Sequence, residues 1–257
     1  MMENKDYTIK YFRDALPEWK RKMDSIPVRF FYRPMSFVVS SFCAKCGISA
    51  NTVSYFSAVL GIIGCLMYLF NLTLCHIIGA ICINIWLVLD CTDGNLARCV
   101  KKQPFGEFAD ALSSYLLVAG MCVSIGYAAY HEGGFLIKQG TPWIILLGAS
   151  ASISDAMTRA VYHKYFLTYK ELVSNGIVPD TGDKRKKNTQ RVFLRSLFED
   201  QFGLGGFLPL IILLATIFSY LDLIVCYLAL YYGAEFIAVL VYTIKNAVVS
   251  AKKYEEK

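Results

Sequence analysis

Six stretches of roughly 20 apolar residues divide the chain, at about 52–70, 74–93, 108–130, 141–162, 204–220 and 222–244. Each, as a helix, is long enough to cross the ~30 Å hydrocarbon layer of a bilayer. The runs are continuously apolar rather than alternating, which points to helices and not to a barrel. Ahead of them, residues 27–44 mix Arg29 and Arg33 with aromatics and aliphatics, and Pro34 prevents one long straight helix. That mixture suits a segment lying on the membrane surface. The pattern therefore predicts an all-α integral membrane protein, with six transmembrane helices and an N-terminal cytoplasmic interfacial helix. No cleavable signal peptide is expected, because the first 25 residues are charged and contain no apolar core.

Composition agrees: 56% of the 257 residues are hydrophobic, too many for an ordinary soluble domain of this length. Charge then sets the orientation. Of the 26 Lys and Arg residues, 24 fall before the first span, in alternate loops or after the last span. Lys138 alone lies in an opposite-side loop, and Arg159 lies inside the fourth span. By the positive-inside rule both termini are cytoplasmic, which requires an even number of spans. The net charge of +6 thus reflects topology and anionic lipid, and no nucleic-acid partner is expected. Nine cysteines are spread through spans and cytoplasmic segments, so a disulfide framework is not expected, and the lone Cys43-x-x-Cys46 is a weak zinc signal. The chain divides into a cytoplasmic and interfacial segment (1–50), a six-span domain (51–246) and a cytoplasmic tail (247–257). Its small size and lack of sorting signals point to a bacterial plasma membrane.

The chemistry-bearing segment joins the second and third spans. The second ends in Asp90-Cys-Thr-Asp93-Gly94-Asn-Leu-Ala97-Arg98, and the third begins Gly106-Glu107-Phe-Ala-Asp110-Ala-Leu-Ser-Ser114. On a helix, positions 90, 93, 94 and 97 share one face, as do 106, 107, 110 and 114 on the next. The short connection lets those faces meet. Carboxylates gathered at the edge of a bilayer repel unless a counter-charge is present, and a hard dication with oxygen ligands, Mg²⁺ or Mn²⁺, supplies one. Such an ion binds pyrophosphate oxygens and neutralises charge that develops during phosphoryl transfer. Gly94 and Ala97 are small enough for a ligand to approach the backbone, and Arg98 can grip a phosphate.

These residues resemble the CDP-alcohol phosphotransferases, whose motif is D-x2-D-G-x2-A-R, seven or eight residues, then G-x3-D-x3-D. Here the motif runs Asp90, Asp93, Gly94, Ala97, Arg98, Gly106 and Asp110. The Ser-Ala-Asn51-Thr52 stretch is loosely similar to a second family pattern, Pro-Asn-x-hydrophobic-Thr. The resemblance implies transfer of a substituted phosphate from a CDP-alcohol to an acceptor, usually a hydroxyl, on a lipid or small molecule, with release of CMP, by a homodimer in contact with membrane lipids. It makes Asp90, Asp93 and Asp110 metal ligands, places Gly94, Ala97, Arg98 and Gly106 at the CDP site, and adds Asn51 and Thr52 as substrate contacts.

The family's fourth acid, credited with a second metal and with acceptor deprotonation, falls on Ser114. One ion is therefore expected rather than two. Three readings stay open. Another acid substitutes, Glu107 or Asp155; the acceptor arrives already ionised; or catalysis is lost and the protein binds CDP-linked ligands or lipid as a scaffold. The catalytic candidates are accordingly Asp110, Arg98, Glu107 and Ser114. Asp155, Arg159 and His163, four apart along the fourth span, form a polar stripe that is either an ion pair or an acceptor contact. Lys184 to Lys187, Arg191 and Arg195 are further phosphate or lipid candidates, and His76 and His131 receive no role.

Overall fold

The first long helix starts at a serine cap: Ser49 Oγ accepts the Thr52 N–H at 3.2 Å. The structure, a computed structural model, describes residues 6–178 and 201–255, and those residues are helical with no strand among them. The elements are α1 (Ile9–Ala15), α2 (Glu18–Met23), a π-helical turn (Val28–Tyr32), α3 (Arg33–Lys45) and α4 (Ala50–Met67), then α5 (Thr73–Cys99), α6 (Gly106–Glu132), α7 (Trp143–Ser174), α8 (Leu208–Ile217) and α9 (Leu221–Glu255). Lys184 to Lys187, Arg191 and Arg195 lie outside the described residues.

Among the described residues five helices, α4, α5, α6, α7 and α9, are long and apolar enough to cross a membrane, where the apolar runs predict six. The difference lies at 204–220. There the helix is interrupted, by Gly203, Gly205 and Gly206 before it and by Ser219 at φ 58° after it, leaving the ten-residue α8. At 1.5 Å per residue α8 rises about 15 Å, about half of the hydrocarbon layer. Before the first span, α2, α3 and the turn between them leave Trp19, Met23, Ile26, Phe30, Phe31 and Phe42 exposed.

α5 is the central helix, packed by α4 on one side and by α3 and α8 on others, while α6 bridges α4 to α7 and α7 lies along α9. In places the helices meet backbone to backbone. A Cβ on Gly79 would stand 2.7 Å from the Gly64 carbonyl oxygen, and one on Gly148 would collide with that of Cys122. Close approach of this kind drives helix association where lipid offers no hydrophobic reward for burial. Buried polar groups pair across helices: Trp86 Nε1–H donates to Ser113 Oγ at 2.8 Å, and Ser113 and Ser57 share a hydrogen bond of 2.7 Å. The turn before α3 is tied in by Tyr32, whose hydroxyl donates to Asn84 Oδ1 at 2.5 Å, while Asn84 Nδ2 donates to the Pro209 carbonyl at 2.9 Å.

At the end of the bundle away from the Asp90 segment, His76 Nε2 lies 2.7 Å from the Phe70 carbonyl and Nδ1 lies 2.6 Å from Glu132 Oε1. A carbonyl can only accept, so Nε2–H donates to Phe70 while Nδ1 bonds Glu132. Nearby, the fully buried Asp222 carboxylate accepts from the backbone N–H of Leu136 (2.5 Å), Ile137 (3.3 Å) and Leu223 (2.9 Å).

Candidate active site

α5 carries its acids near one end by simple arithmetic: Asp90 stands roughly 26 Å along the helix from Thr73, at the edge of a ~30 Å hydrocarbon layer. The chain turns back through residues 100–105. The turn closes at Phe105, whose left-handed conformation (φ 60°) is uncommon for an aromatic residue and swings the chain straight into α6. Gly106 opens that helix beside Asn51, where a Cβ would lie 3.4 Å from Asn51 Oδ1. Asn51 Nδ2 donates to the Pro104 carbonyl at 2.8 Å, so the start of α4 braces this connection. Asn51 Oδ1 is buried without a hydrogen-bond partner among the described residues. A shallow pocket opens alongside, lined in part by Gly47, Ser49, Lys101 and Gln103.

The two acidic faces do meet. The Asp90 and Asp110 carboxyl groups lie within hydrogen-bonding reach of each other across α5 and α6. Asp93 is buried one turn along and accepts from Ser54 Oγ–H at 2.5 Å, which ties it to α4. Among the described residues no three His, Cys, Asp or Glu side chains already converge as a ligand set, Asp93 being held toward Ser54. The donor chemistry nevertheless suits a hard dication: the three side chains offer only oxygen, and two acids pressed together need a proton or a cation between them.

Arg98 is folded back along its own helix. A Cβ on Gly94 would stand 2.8 Å from Arg98 Nη2, and Nη2–H donates to Asn95 Oδ1 at 3.4 Å. Gly94 is therefore small because the guanidinium lies across it. Ala97 packs against a separate apolar cluster built from Phe12, Leu16, Phe37 and Leu96. Thr52 is exposed, and its hydroxyl lies 2.8 Å from Ser49 Oγ. Ser114 is half-buried and donates to the Ala111 carbonyl of its own helix at 3.0 Å. Glu107 points into solvent near Lys102, 3.7 Å away.

Asp155, Arg159 and His163 form their own group. Arg159 Nε–H donates to Asp155 Oδ2 at 2.7 Å, the guanidinium lies 4.3 Å from the Tyr115 ring centroid, and His163 Nε2 is 2.8 Å from the Tyr115 hydroxyl. The residues that the motif does not contain come from the N-terminal segment. Arg33 Nε and Nη2 fork onto Asp24 at 2.8 and 2.7 Å, and Nη1 reaches the Cys91 carbonyl (3.3 Å) and Asn95 Oδ1 (3.2 Å). Burial opposes charge on Arg33, yet the Asp24 hydrogen bond together with the charges of Cys91, Asp24 and Asp90 raises the guanidinium above its ordinary pKa. Lys20 lies 3.4 Å from Asp24 and acts electrostatically on both Asp90 and Asp110. One signal for Arg33 was available: an arginine amid buried positions requires an acid partner. No spacing rule identifies Asp24 as that partner.

The model of the CDP-alcohol phosphatidyltransferase family matches residues 48–244. The chain belongs to that family. Its members' general chemistry, phosphotransfer from a CDP-alcohol in lipid biosynthesis, thereby becomes the frame for this site. No curated protein matches the chain. The matched region contains the whole Asp90-to-Asp110 segment and excludes Lys20, Asp24 and Arg33.

Proposed function

We propose that the protein moves a substituted phosphate from a CDP-alcohol to an acceptor, releasing CMP, in phospholipid or related lipid or glycan biosynthesis. The observation that carries this reading is the meeting of Asp90 and Asp110 across two helices, beside a buried Asp93, in a chain of this family. Asp90, Asp93 and Asp110 would hold Mg²⁺ or Mn²⁺, which when bound neutralises charge on the pyrophosphate oxygens and the departing CMP. Ser54 fixes Asp93, and Arg98 presents its guanidinium to a donor phosphate. Asn51 Oδ1 is an acceptor for a donor N–H, and Gly106 leaves the space beside it open.

Acceptor activation separates this protein from a simple copy of the motif. Serine 114 has no carboxylate, Glu107 faces solvent, and Asp155 is engaged by Arg159. An acceptor whose attacking oxygen is already ionised, a phosphate or carboxylate, fits this arrangement best. That oxygen bonds to phosphorus as the bond to CMP breaks, and no proton has to be removed. Asp155 and Arg159 are the candidate acceptor contacts. The active site opens to the cytoplasm of a bacterial plasma membrane in a six-crossing domain (51–246), α8 and its flanks completing the sixth crossing. The N-terminal segment (1–50) rests on the inner leaflet, residues 247–257 form a cytoplasmic tail, and the assembly is a homodimer.

The test is CMP release by purified protein with Mg²⁺ and a panel of CDP-alcohols, with acceptors bearing either an ionised oxygen or a neutral hydroxyl. Release that needs the ionised acceptor and disappears in Asp93→Asn supports the proposal. A second reading, a scaffold that binds CDP-linked ligands without turnover, is favoured by Ser114 alone. Tight CDP binding with no release from any donor, in wild type and in Ser114→Asp, would establish that alternative.

A further inference from the structure

Among the described residues, Arg33 is the one Lys or Arg that is buried, with 4% of its surface exposed. It lies outside the family-matched region yet contacts the motif helix directly. The Asp24 fork takes two of its N–H groups, leaving Nη1 to bond Cys91 O and Asn95 Oδ1. Asn95 is then fully specified. Its Oδ1 receives both Arg33 and Arg98, and its Nδ2 donates to Ser36 Oγ at 3.0 Å and Ser40 Oγ at 3.2 Å. Those serine hydroxyls in turn donate to the Arg33 and Ser36 carbonyls, so they present lone pairs to the amide. A flipped amide would aim its NH₂ at two guanidinium groups, and the arrangement admits only one orientation. The anchored Asn95 oxygen holds Arg98 across Gly94.

We infer that Arg33, gripped by Asp24, is a positioning residue for the donor site: it orients Asn95, and Asn95 holds Arg98 where a phosphate of the CDP-alcohol binds. The inference rests on the reading of Arg98 as a donor contact. It assigns the N-terminal segment a role in substrate affinity as well as in lying against the membrane. Anchoring alone needs no fork, since apolar residues of similar volume secure a helix as well as a buried ion pair does. The chain Asp24–Arg33–Asn95–Arg98 instead passes directional hydrogen bonds from a segment outside the motif to a cation inside it.

The experiment titrates CDP into the full-length protein with Mg²⁺ by calorimetry, for wild type, Arg33→Lys, Asp24→Asn, Arg98→Ala and the Arg33→Lys/Arg98→Ala double variant. Arg33→Lys keeps the charge and loses the fork, and CDP affinity is expected to fall about tenfold, the scale of one charged hydrogen bond. Arg98→Ala is expected to lose about 30-fold on the same scale, and the double variant no more than that. Wild-type affinity in Arg33→Lys, or losses that multiply in the double variant, would overturn the inference. So would a lower melting temperature with affinity unchanged, since a purely structural role predicts that result. If Arg33→Lys does not fold, Asp24→Asn, which leaves the arginine in place, carries the same expectation. Parallel CMP assays keep the two ideas apart. CDP binding without CMP release sinks the transferase while the coupling is still read in affinity. CMP release with wild-type affinity in Arg33→Lys sinks the positioning role alone.

Discussion

Two acids near opposite ends of the bundle, Asp222 buried and Asp90 half-buried, show how differently the same side chain can be housed. Asp222 stands among three backbone N–H groups, 2.5 to 3.3 Å away, and holds the 133–137 loop to the start of α9. Asp90 faces another acid, Asp110, with Lys20 and Arg33 as the cations that act on it. Asp222 is satisfied by the chain itself and has nothing left to offer a ligand. Asp90 and Asp110 face each other as like charges, a conflict that the cation proposed above would relieve. His76 and Glu132 extend the contrast, because they bond each other at 2.6 Å.

The sharpest way to break the comparison is to remove one acid from each end. Asp93→Asn or Asp90→Asn is expected to lower CMP release by roughly 10³-fold or more, the several kcal/mol a bound ion supplies, with little change in melting temperature. Chelation of divalent ions should match that loss in wild type, and added Mg²⁺ or Mn²⁺ should reverse it. Asp222→Ala should do the opposite, costing about 3 kcal/mol of stability from orphaned N–H groups while sparing turnover at permissive temperature, as thermal melts and assays would show. Gly148→Ala, which forces a Cβ against the Cys122 carbonyl, should cost about 1–3 kcal/mol by overpacking, again without a specific effect on CDP affinity. Gly94→Ala tests the motif end more gently. It should displace Arg98 and weaken CDP binding about tenfold, with stability nearly unchanged. An Asp222→Ala protein that folds normally but loses turnover would erase the division between the two ends.

Much of this was legible in the sequence because it follows from spacing. The helical repeat places 90, 93 and 94 on one face, and the short return at 100–105 lets that face meet Asp110. Other parts were not. Nothing local distinguishes Ser49 from Asn51 as the cap of α4; the structure gives the cap to Ser49, because Asn51 is drawn to Pro104 by a contact 53 positions away. Glu107 shares a face with Asp110 by periodicity, yet its longer side chain turns to solvent. The apolar run at 204–220 reads as one span, since hydropathy does not register the glycines and Ser219 that confine α8 to ten residues. Lys20, Asp24 and Arg33 reach the site through tertiary contacts that no motif spacing encodes.

The glycine contacts have a mechanical consequence. Gly64 with Gly79, and Gly148 with Cys122, bring helix against helix at the half of the bundle remote from Asp90, whereas at the Asp90 end side chains make the links, Arg33 to Asn95 and Ser54 to Asp93. The lever from Gly79 to Asp90 is roughly 16 Å, so a tilt of about 5° carries the carboxylate through roughly 1.4 Å. A displacement that small spans the difference between an aligned and a misaligned phosphoryl group.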